Sequence, residues 1–164
     1  MNILFQKIEE KNFPQVLTIY KSNEAYFTQA SNTWPTIQTV RDDFQACPPN
    51  LPIHEKHYEL VCLDGQAVAV VDMLTNFPVE GTVHIGLFMV HSRLQKTGLG
   101  TSIFKVLEQR MCSFQKLRLG VFEANPHGLS FWQRNGFTNT DVKETVIIEK
   151  KHKIYVLEKP ITRN

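Results

Sequence analysis

An α+β (mixed α/β) single domain is the fold class this sequence predicts, and three observations predict it. Apolar residues switch period along the chain, between the alternation of strands and the spacing of helices. Thr82 to Cys112 joins both patterns through a glycine turn, so strands and helices interleave. No linker, repeat or low-complexity tract divides the 164 residues, enough for one real core and too few for two. The expected order is βααβββαβαββ, one domain over residues 1–164.

The elements follow in chain order. Asn2 to Glu9 alternates imperfectly around Ile3 and Phe5 and reads as a first strand. Phe13, Val16, Leu17 and Tyr20 then fall at helical spacing, with Pro14 tolerable in a first turn. Glu24 to Pro35 mixes aromatic with polar residues and reads as loop. Thr36 to Ala46 is a second helix, with Val40, Phe44 and Cys47 to one side and Pro48-Pro49 enforcing its end. Residues 48–56 look like an exposed connection, with His54, Glu55 and His57 solvated and lacking the partners of a zinc site. His57 to Leu63 and Gln66 to Leu74 are β-rich runs joined by Asp64-Gly65, a hairpin signal.

Ile85 to Val90 reads as a buried strand, and Thr101 onwards as a helix carrying Ile103, Phe104, Val106, Leu107 and Met111. Lys116 to Phe122 alternates as a further strand. Asn125-Pro126 turns the chain, and Leu129 to Arg134 makes a short helix before Asn135-Gly136. Thr145 to Ile148 and Lys153 to Leu157 are the last strands, linked by a charged tip at Glu149 to His152.

Composition bounds the function. With 42% hydrophobic and 21% charged residues the chain reads as a soluble globular protein. A formal charge of only +2, without aromatic-basic interleaving, argues against a nucleic-acid or membrane surface. Cys47, Cys62 and Cys112 show neither metal-ligand nor disulfide spacing and suit reduced thiols. Charge arrives too early for a signal peptide, and no apolar run reaches membrane-spanning length. The expectation is a cytoplasmic protein without a metal, monomer or homodimer.

The glycine turn carries the chemistry. The first N–H groups of a helix have no internal partner, and the helix dipole favours anions there. Gly98 and Gly100 let backbone approach a phosphate, and Arg93 and Lys96 add charge. No lysine follows the glycines as a P-loop requires, and Ile103 stands where a dinucleotide fingerprint needs its third glycine. What remains is Gln95-x-x-Gly98-x-Gly100 behind a strand ending in Val90.

That pattern resembles the acyl-coenzyme A signature of the GNAT superfamily of N-acetyltransferases, Arg/Gln-x-x-Gly-x-Gly/Ala. A second pattern of the family, Asn-x-x-Ala-x-x-Leu/Phe-Tyr followed by Gly-Phe, is met by Asn125, Phe131, Gly136 and Phe137. Gly128 stands where alanine is common, Trp132 where tyrosine is usual, and Ser92 where proline is frequent. The resemblance covers roughly residues 57–159 well and the N-terminal part by element order alone.

The resemblance implies a central, mostly antiparallel sheet flanked by helices and splayed at its central strands. Coenzyme A pyrophosphate would lie on Gln95, Lys96, Thr97, Gly98, Leu99, Gly100 and Thr101. The pantetheine arm would run beside Phe88, Met89 and Val90, with Phe131 and Trp132 near it. Asn125 would bond the arm or cap its helix, and both can hold. Acetyl transfer from acetyl-CoA needs a neutral amine, a donor to the oxyanion and a proton for the thiolate. The resemblance assigns the oxyanion to a main-chain N–H near Val90. Indole cannot act as an acid near neutral pH, so Tyr26, Tyr155, water or an unprotonated departure replaces the usual tyrosine at Trp132. Glu24, Tyr26, Phe27 and Trp34 border the acceptor, a small-molecule or protein amine, or form a plain hydrophobic flap. Counting back from Val90 by twos puts Phe88, Gly86 and His84 on one strand face. The resemblance implies that His84, six residues before Val90, is a base towards the amine, suited by an ordinary pKa of about 6.5; the other reading is a half-buried packing residue. A coenzyme A-binding sensor or partner module without turnover is the competing reading, motivated by Trp132.

Overall fold

Seven strands form one sheet in the order β1-β2-β3-β4-β5-β7-β6 in the computed structural model, which describes residues 1–163 apart from the side chains of 30 and 31. The strands are β1 (Ile3–Lys7), β2 (Lys56–Leu63), β3 (Gln66–Thr75), β4 (Thr82–Val90), β5 (Lys116–Phe122), β6 (Thr138–Ile147) and β7 (Lys150–Pro160). The helices are α1 (Phe13–Ser22), α2 (Glu24–Ser31), α3 (Ile37–Gln45), α4 (Leu99–Arg110) and α5 (Pro126–Arg134). Every pairing is antiparallel except β4 with β5. None of the described helices is long and apolar enough to cross a membrane.

Helix α2 corrects the loop expected at Glu24 to Pro35, making the order βαααβββαβαββ. It is a single amphipathic segment of eight residues ending at left-handed Asn32, too short to show a clear period. Other helices start where local chemistry allows. Thr36 and Thr39 exchange side-chain-to-backbone bonds at the head of α3. Pro126 occupies the first turn of α5, so that helix begins three residues before its apolar spacing.

The β2–β3 turn has Asp64 and Gly65 both at positive φ, as a two-residue hairpin of this twist requires. The β6–β7 turn does the same with Ile148 and Glu149, at φ 49° and 60°. Neither residue type favours that region, so the sequence carries no turn signal there. The tip therefore lies two residues earlier than the charged tract suggested, and both strands are longer.

Apolar residues cluster on both faces of the sheet. One cluster packs Val71, Met73, Val83, Ile85, Leu117 and Leu119 beneath α4 and α5. The other packs Tyr58, Leu60, Val70 and Met89 beneath α1 and α3, around Val16, Ile19, Tyr20 and Val40. Two irregularities of the sheet position the site. β4 and β5 pair only from Thr82–Lys116 to Ile85–Leu119, and beyond that they part. In the β3–β4 ladder Asp72 faces Leu87 while Met73 faces Ile85, so Gly86 is an extra residue, a β-bulge.

The bulge reverses side-chain parity. Val83, Ile85 and Val90, with Phe88 partly buried against them, belong to the α4 face, whereas Leu87 and Met89 belong to the α1 face. Counting by twos through Gly86 therefore fails. His84 lies on the α1 face, opposite Phe88 and Val90.

Candidate functional site: a splayed strand between two faces

On one side of β4 is a wedge. The His91 N–H bonds to the Val68 carbonyl, across the β3 ladder. By antiparallel alternation, the main-chain groups of Phe88 and Val90 point the other way, into the gap where β5 has left. The Val90 carbonyl is already engaged: it accepts from Gln95 Nε2 at 2.9 Å and from Asn23 Nδ2 at 3.1 Å. Gln95 Nε2 also donates to Asn23 Oδ1 at 2.7 Å. The first residue of the glycine motif thus ties the strand end to the α1–α2 junction.

At the mouth of the wedge, Lys96 and Gly98 both have positive φ, 61° and 88°. Gly98 is the N-cap of α4 and has no side chain to satisfy the first-turn N–H groups. Thr97 Oγ1 instead donates to the Leu94 carbonyl at 2.6 Å and accepts only distantly from Leu99 N at 3.4 Å. A Cβ at Gly98 would meet nothing within 4 Å, so the space over this helix end is open. These residues fit an anionic phosphate group, with Gln95 to Gly98 exposed and Leu99 buried as the anchor of α4. Gly100 and Thr101 continue the first turn. A Cβ at Gly100 would come within 3.2 Å of the Phe131 ring and 3.8 Å of Val90 Cγ2, so this glycine also lets α5 approach.

Asn125 caps α5, its Oδ1 accepting from Gly128 N at 3.0 Å. A Cβ at position 128 would lie 2.5 Å from Asn125 Nδ2, which explains a glycine where alanine is common. The capping role is therefore present.

On the other face, two cavities share Asp72 and Gly86. One of about 450 Å³ is lined by Ala46, Cys47, Pro48, Lys56, Leu74, Phe77 and His84 as well. The second, about 210 Å³, adds Tyr26, Phe27, Thr39, Asp43 and Leu87. Lys56 Nζ lies 2.9 and 3.1 Å from the two Asp72 oxygens, and its side chain is only 5% exposed. Burial pushes the Asp72 carboxyl up to about 6, against the opposing pull of Lys56. Asp43 accepts from Tyr20 Oη at 2.6 Å, and the Tyr20 and Tyr58 hydroxyls lie 2.5 Å apart. Burial raises the carboxyl of Asp43, and it raises both phenols.

The profile of the acetyltransferase (GNAT) family matches residues 16–137. The chain belongs to that family. Solved structures of the same fold include an acetyltransferase from Thermus thermophilus, 18% identical with a TM-score of 0.81, over 98% of this chain and 97% of that one. The ribosomal-protein-S18-alanine N-acetyltransferase of Escherichia coli is 14% identical with a TM-score of 0.69, over 99% and 96%. The PaiA N-acetyltransferase of Thermoplasma acidophilum, solved with coenzyme A, is 13% identical with a TM-score of 0.68, over 98% and 99%. No sequence among curated proteins matches the chain.

Within this GNAT fold the residues singled out by sequence divide. Phe88, Met89, Val90, Gln95 to Thr101, Asn125 and Phe131 gather around or beside the wedge, although the Met89 side chain turns to the α1 face. Trp132 is a core residue, 8% exposed, with the rings of Phe88, Phe104, Phe131 and Phe137 between 4.9 and 5.5 Å from its own. Phe131 is only partly buried and is the ring that reaches Gly100. Tyr26 and Phe27 line the smaller cavity, whereas Glu24 and Trp34 are exposed and line neither. Glu55, expected to be solvated, accepts from Asn76 Nδ2 at 3.2 Å, and His57 Nε2 lies 3.3 Å from Thr75 Oγ1. No group of three His, Cys, Asp or Glu among the described residues could hold a metal ion.

Asp72, Lys56 and Asp43 escaped the sequence reading. Asp72 alone among them left a signal: it is the one charged residue in the apolar run Ala67 to Leu74.

His84 differs from its expectation in charge as well as in face. Its Nδ1 lies 2.9 Å from Arg118 Nη1 on β5. Burial, then the charges of Arg118 and Lys143, lower its pKa from 6.5 to about 4. A depressed folded-state pKa contributes stability that is present above 6.5 and is lost as pH falls through about 4. Asp72 works oppositely: its contribution is full at low pH and is lost as pH rises through about 6. His84→Gln, which keeps an acceptor for Arg118 and leaves the Asp72 contribution in place, isolates the first effect. Wild type is expected to lose about 2 kcal/mol relative to the variant between pH 6.5 and 4. Parallel stability curves from calorimetry would show that His84 titrates as a solvated histidine.

Proposed function

We propose that this chain transfers an acetyl group from acetyl-CoA to a primary amine by direct attack, with donor and acceptor meeting at β4. The observation that supports it best is the double character of that strand. Toward the wedge it offers the main-chain groups of Phe88 and Val90, and at Gly86 its other face opens into cavities walled by carboxylates and aromatic rings.

Bound acetyl-CoA would supply the activated acyl group as a thioester. The first turn of α4 and the loop from Gln95 to Thr101 would hold its phosphates through main-chain N–H groups. The main-chain groups of Phe88 would bond the pantetheine amides as an added strand does, beside Val90, and Asn125 and Phe131 would border them. The Val90 N–H, directed into the wedge, would donate to the oxyanion. Tyr26 and Phe27 would flank the amine, and cavities of this size suit a small molecule or a lone side chain. The cytoplasm is the proposed compartment, in keeping with three free cysteines.

Trp132 favours a second reading, a coenzyme A-binding module without turnover. Its ring is enclosed by four others, so that position offers the departing thiolate no phenol. Acetyl-CoA presented with a broad amine panel, followed as free thiol and by product mass, separates the two. Thiol release with an acetylated product is expected. Coenzyme A binding without release from any amine would sink the catalytic reading.

A further inference from the structure

We infer that Asp72 is the catalytic residue that takes the proton from an alkylammonium acceptor, with Lys56 positioning its carboxylate; the inference rests on the acetyl-transfer reading above. Asp72 is placed for this as no other described group is. It lies in register with Leu87, next to the bulge at Gly86, and it lines both cavities that open there. Gly86 has no side chain to shield it, and a Cβ there would touch only the Asp72 carbonyl, at 3.7 Å.

The alternatives are already engaged. His84 presents Nδ1 to a guanidinium that can only donate, so Nδ1 is the acceptor and the ring proton sits on Nε2. The imidazole can donate to a ligand in the larger cavity but has no free lone pair. Asp43 accepts the Tyr20 hydroxyl, which meets that of Tyr58, so phenols hold this carboxylate in place. Among the described residues Asp72 has only Lys56 as a partner, whose ammonium also lies 5.4 Å from the centre of the Tyr58 ring.

The groups facing Asp72 come from every packed element. They are Lys56 and Tyr58 on β2, Tyr26 on α2, Asp43 on α3, Cys47 beyond it and His84 on β4, with Tyr20 on α1 behind them, bonded to Asp43 and Tyr58. Among the described residues Lys56 is the one cation directly paired with Asp72, and the carboxylates of Asp72 and Asp43 both lie near it, so an ammonium entering beside Asp72 restores balance. A carboxyl that titrates near neutrality is matched to accept a proton there.

The step balances. The ammonium gives one proton to a carboxylate oxygen of Asp72, and the freed lone pair forms the C–N bond at the thioester carbonyl carbon. The C–S bond breaks with its electron pair on sulfur. The second proton passes from nitrogen to the thiolate, and Asp72 returns its own proton to solvent.

Two amines of nearly equal shape test this: benzylamine, protonated at pH 7, and O-benzylhydroxylamine, neutral there. Asp72→Asn is expected to lower kcat/KM for benzylamine about a hundredfold and to spare O-benzylhydroxylamine, which carries no ammonium proton to lose before attack. Asp72→Asn leaves Lys56 buried without its partner, so the paired change Asp72→Asn/Lys56→Met supplies a neutral, foldable version with the same selective loss. Equal losses with both amines would overturn the assignment. Independently, the ¹³C carboxyl resonance absent from the Asp72→Asn spectrum should titrate in wild type at about 6, and higher in Lys56→Met. A midpoint in the ordinary aspartate range, with transfer intact, would remove Asp72 alone. Failure of every amine to release thiol would instead remove acetyl transfer itself.

Discussion

Replacing Gly100 with valine is expected to weaken coenzyme A binding by about a hundredfold or more, equivalent to about 3 kcal/mol. The side chain would stand at the first turn of α4, where main-chain N–H groups have no internal partner. The first Cβ atom alone approaches Phe131 to 3.2 Å, so valine would also displace that ring and cost about 1–3 kcal/mol of stability. The two effects are separable. Gly98→Val projects into open space and meets nothing within 4 Å, so its only cost is that of a positive φ, about 1–2 kcal/mol. It should weaken binding without disturbing Phe131. Calorimetric titration with coenzyme A, beside thermal unfolding, measures both. Two folded variants with wild-type affinity would remove the phosphate cradle.

Trp132→Ala is expected to be the most destabilising single change near the site, by about 3–5 kcal/mol. Four aromatic rings lose a shared neighbour, and two of them, Phe104 and Phe137, are buried to 1% and 2% exposure. For a domain of this size that corresponds to a fall in Tm of roughly 10 °C. Trp132→Phe should cost far less because a ring remains. Trp132→Tyr brings a phenol into an apolar cluster, and its desolvated hydroxyl should lower stability without raising turnover. A rise in thiol release in that variant would show that the phenol reaches the departing sulfur, contrary to the packing.

Much of the fold was legible because its signals are local. Asp64-Gly65 can adopt the two positive φ values of its hairpin, and Pro48-Pro49 stops α3 from continuing. The glycine motif was legible for the same reason, since Gly98 is needed at φ 88° whatever surrounds it. The remainder depends on contacts between distant segments. Helix α2 is stabilised by Phe27 packing on Tyr20, with centroids 5.1 Å apart, rather than by its own pattern. The Ile148–Glu149 turn is imposed by the ladder on either side of it. Asp72 looked like an interruption in a strand, and only the pairing of β2 beside that strand and the packing of α3 over it show that its charge is paired and enclosed. His84 was misassigned by an arithmetic that assumes an unbroken pleat.

That unbroken pleat is what Gly86 abolishes, and the effect extends to how β4 can vary. A residue without a cross-strand counterpart works as a phase slip, leaving the segments at 82–85 and 87–90 free to keep separate schedules of inward and outward side chains. Substitutions at His84 reshape the wall of a cavity while the amides of Phe88 and Val90 keep their aim. Deleting Gly86 would make Ile85 and Leu87 neighbours in an unbroken pleat, keeping His84 toward the cavities and Val83 and Ile85 beneath α4, but would close the gap beside Asp72. One strand can therefore face two different ligands, and its two halves can diverge without consulting each other.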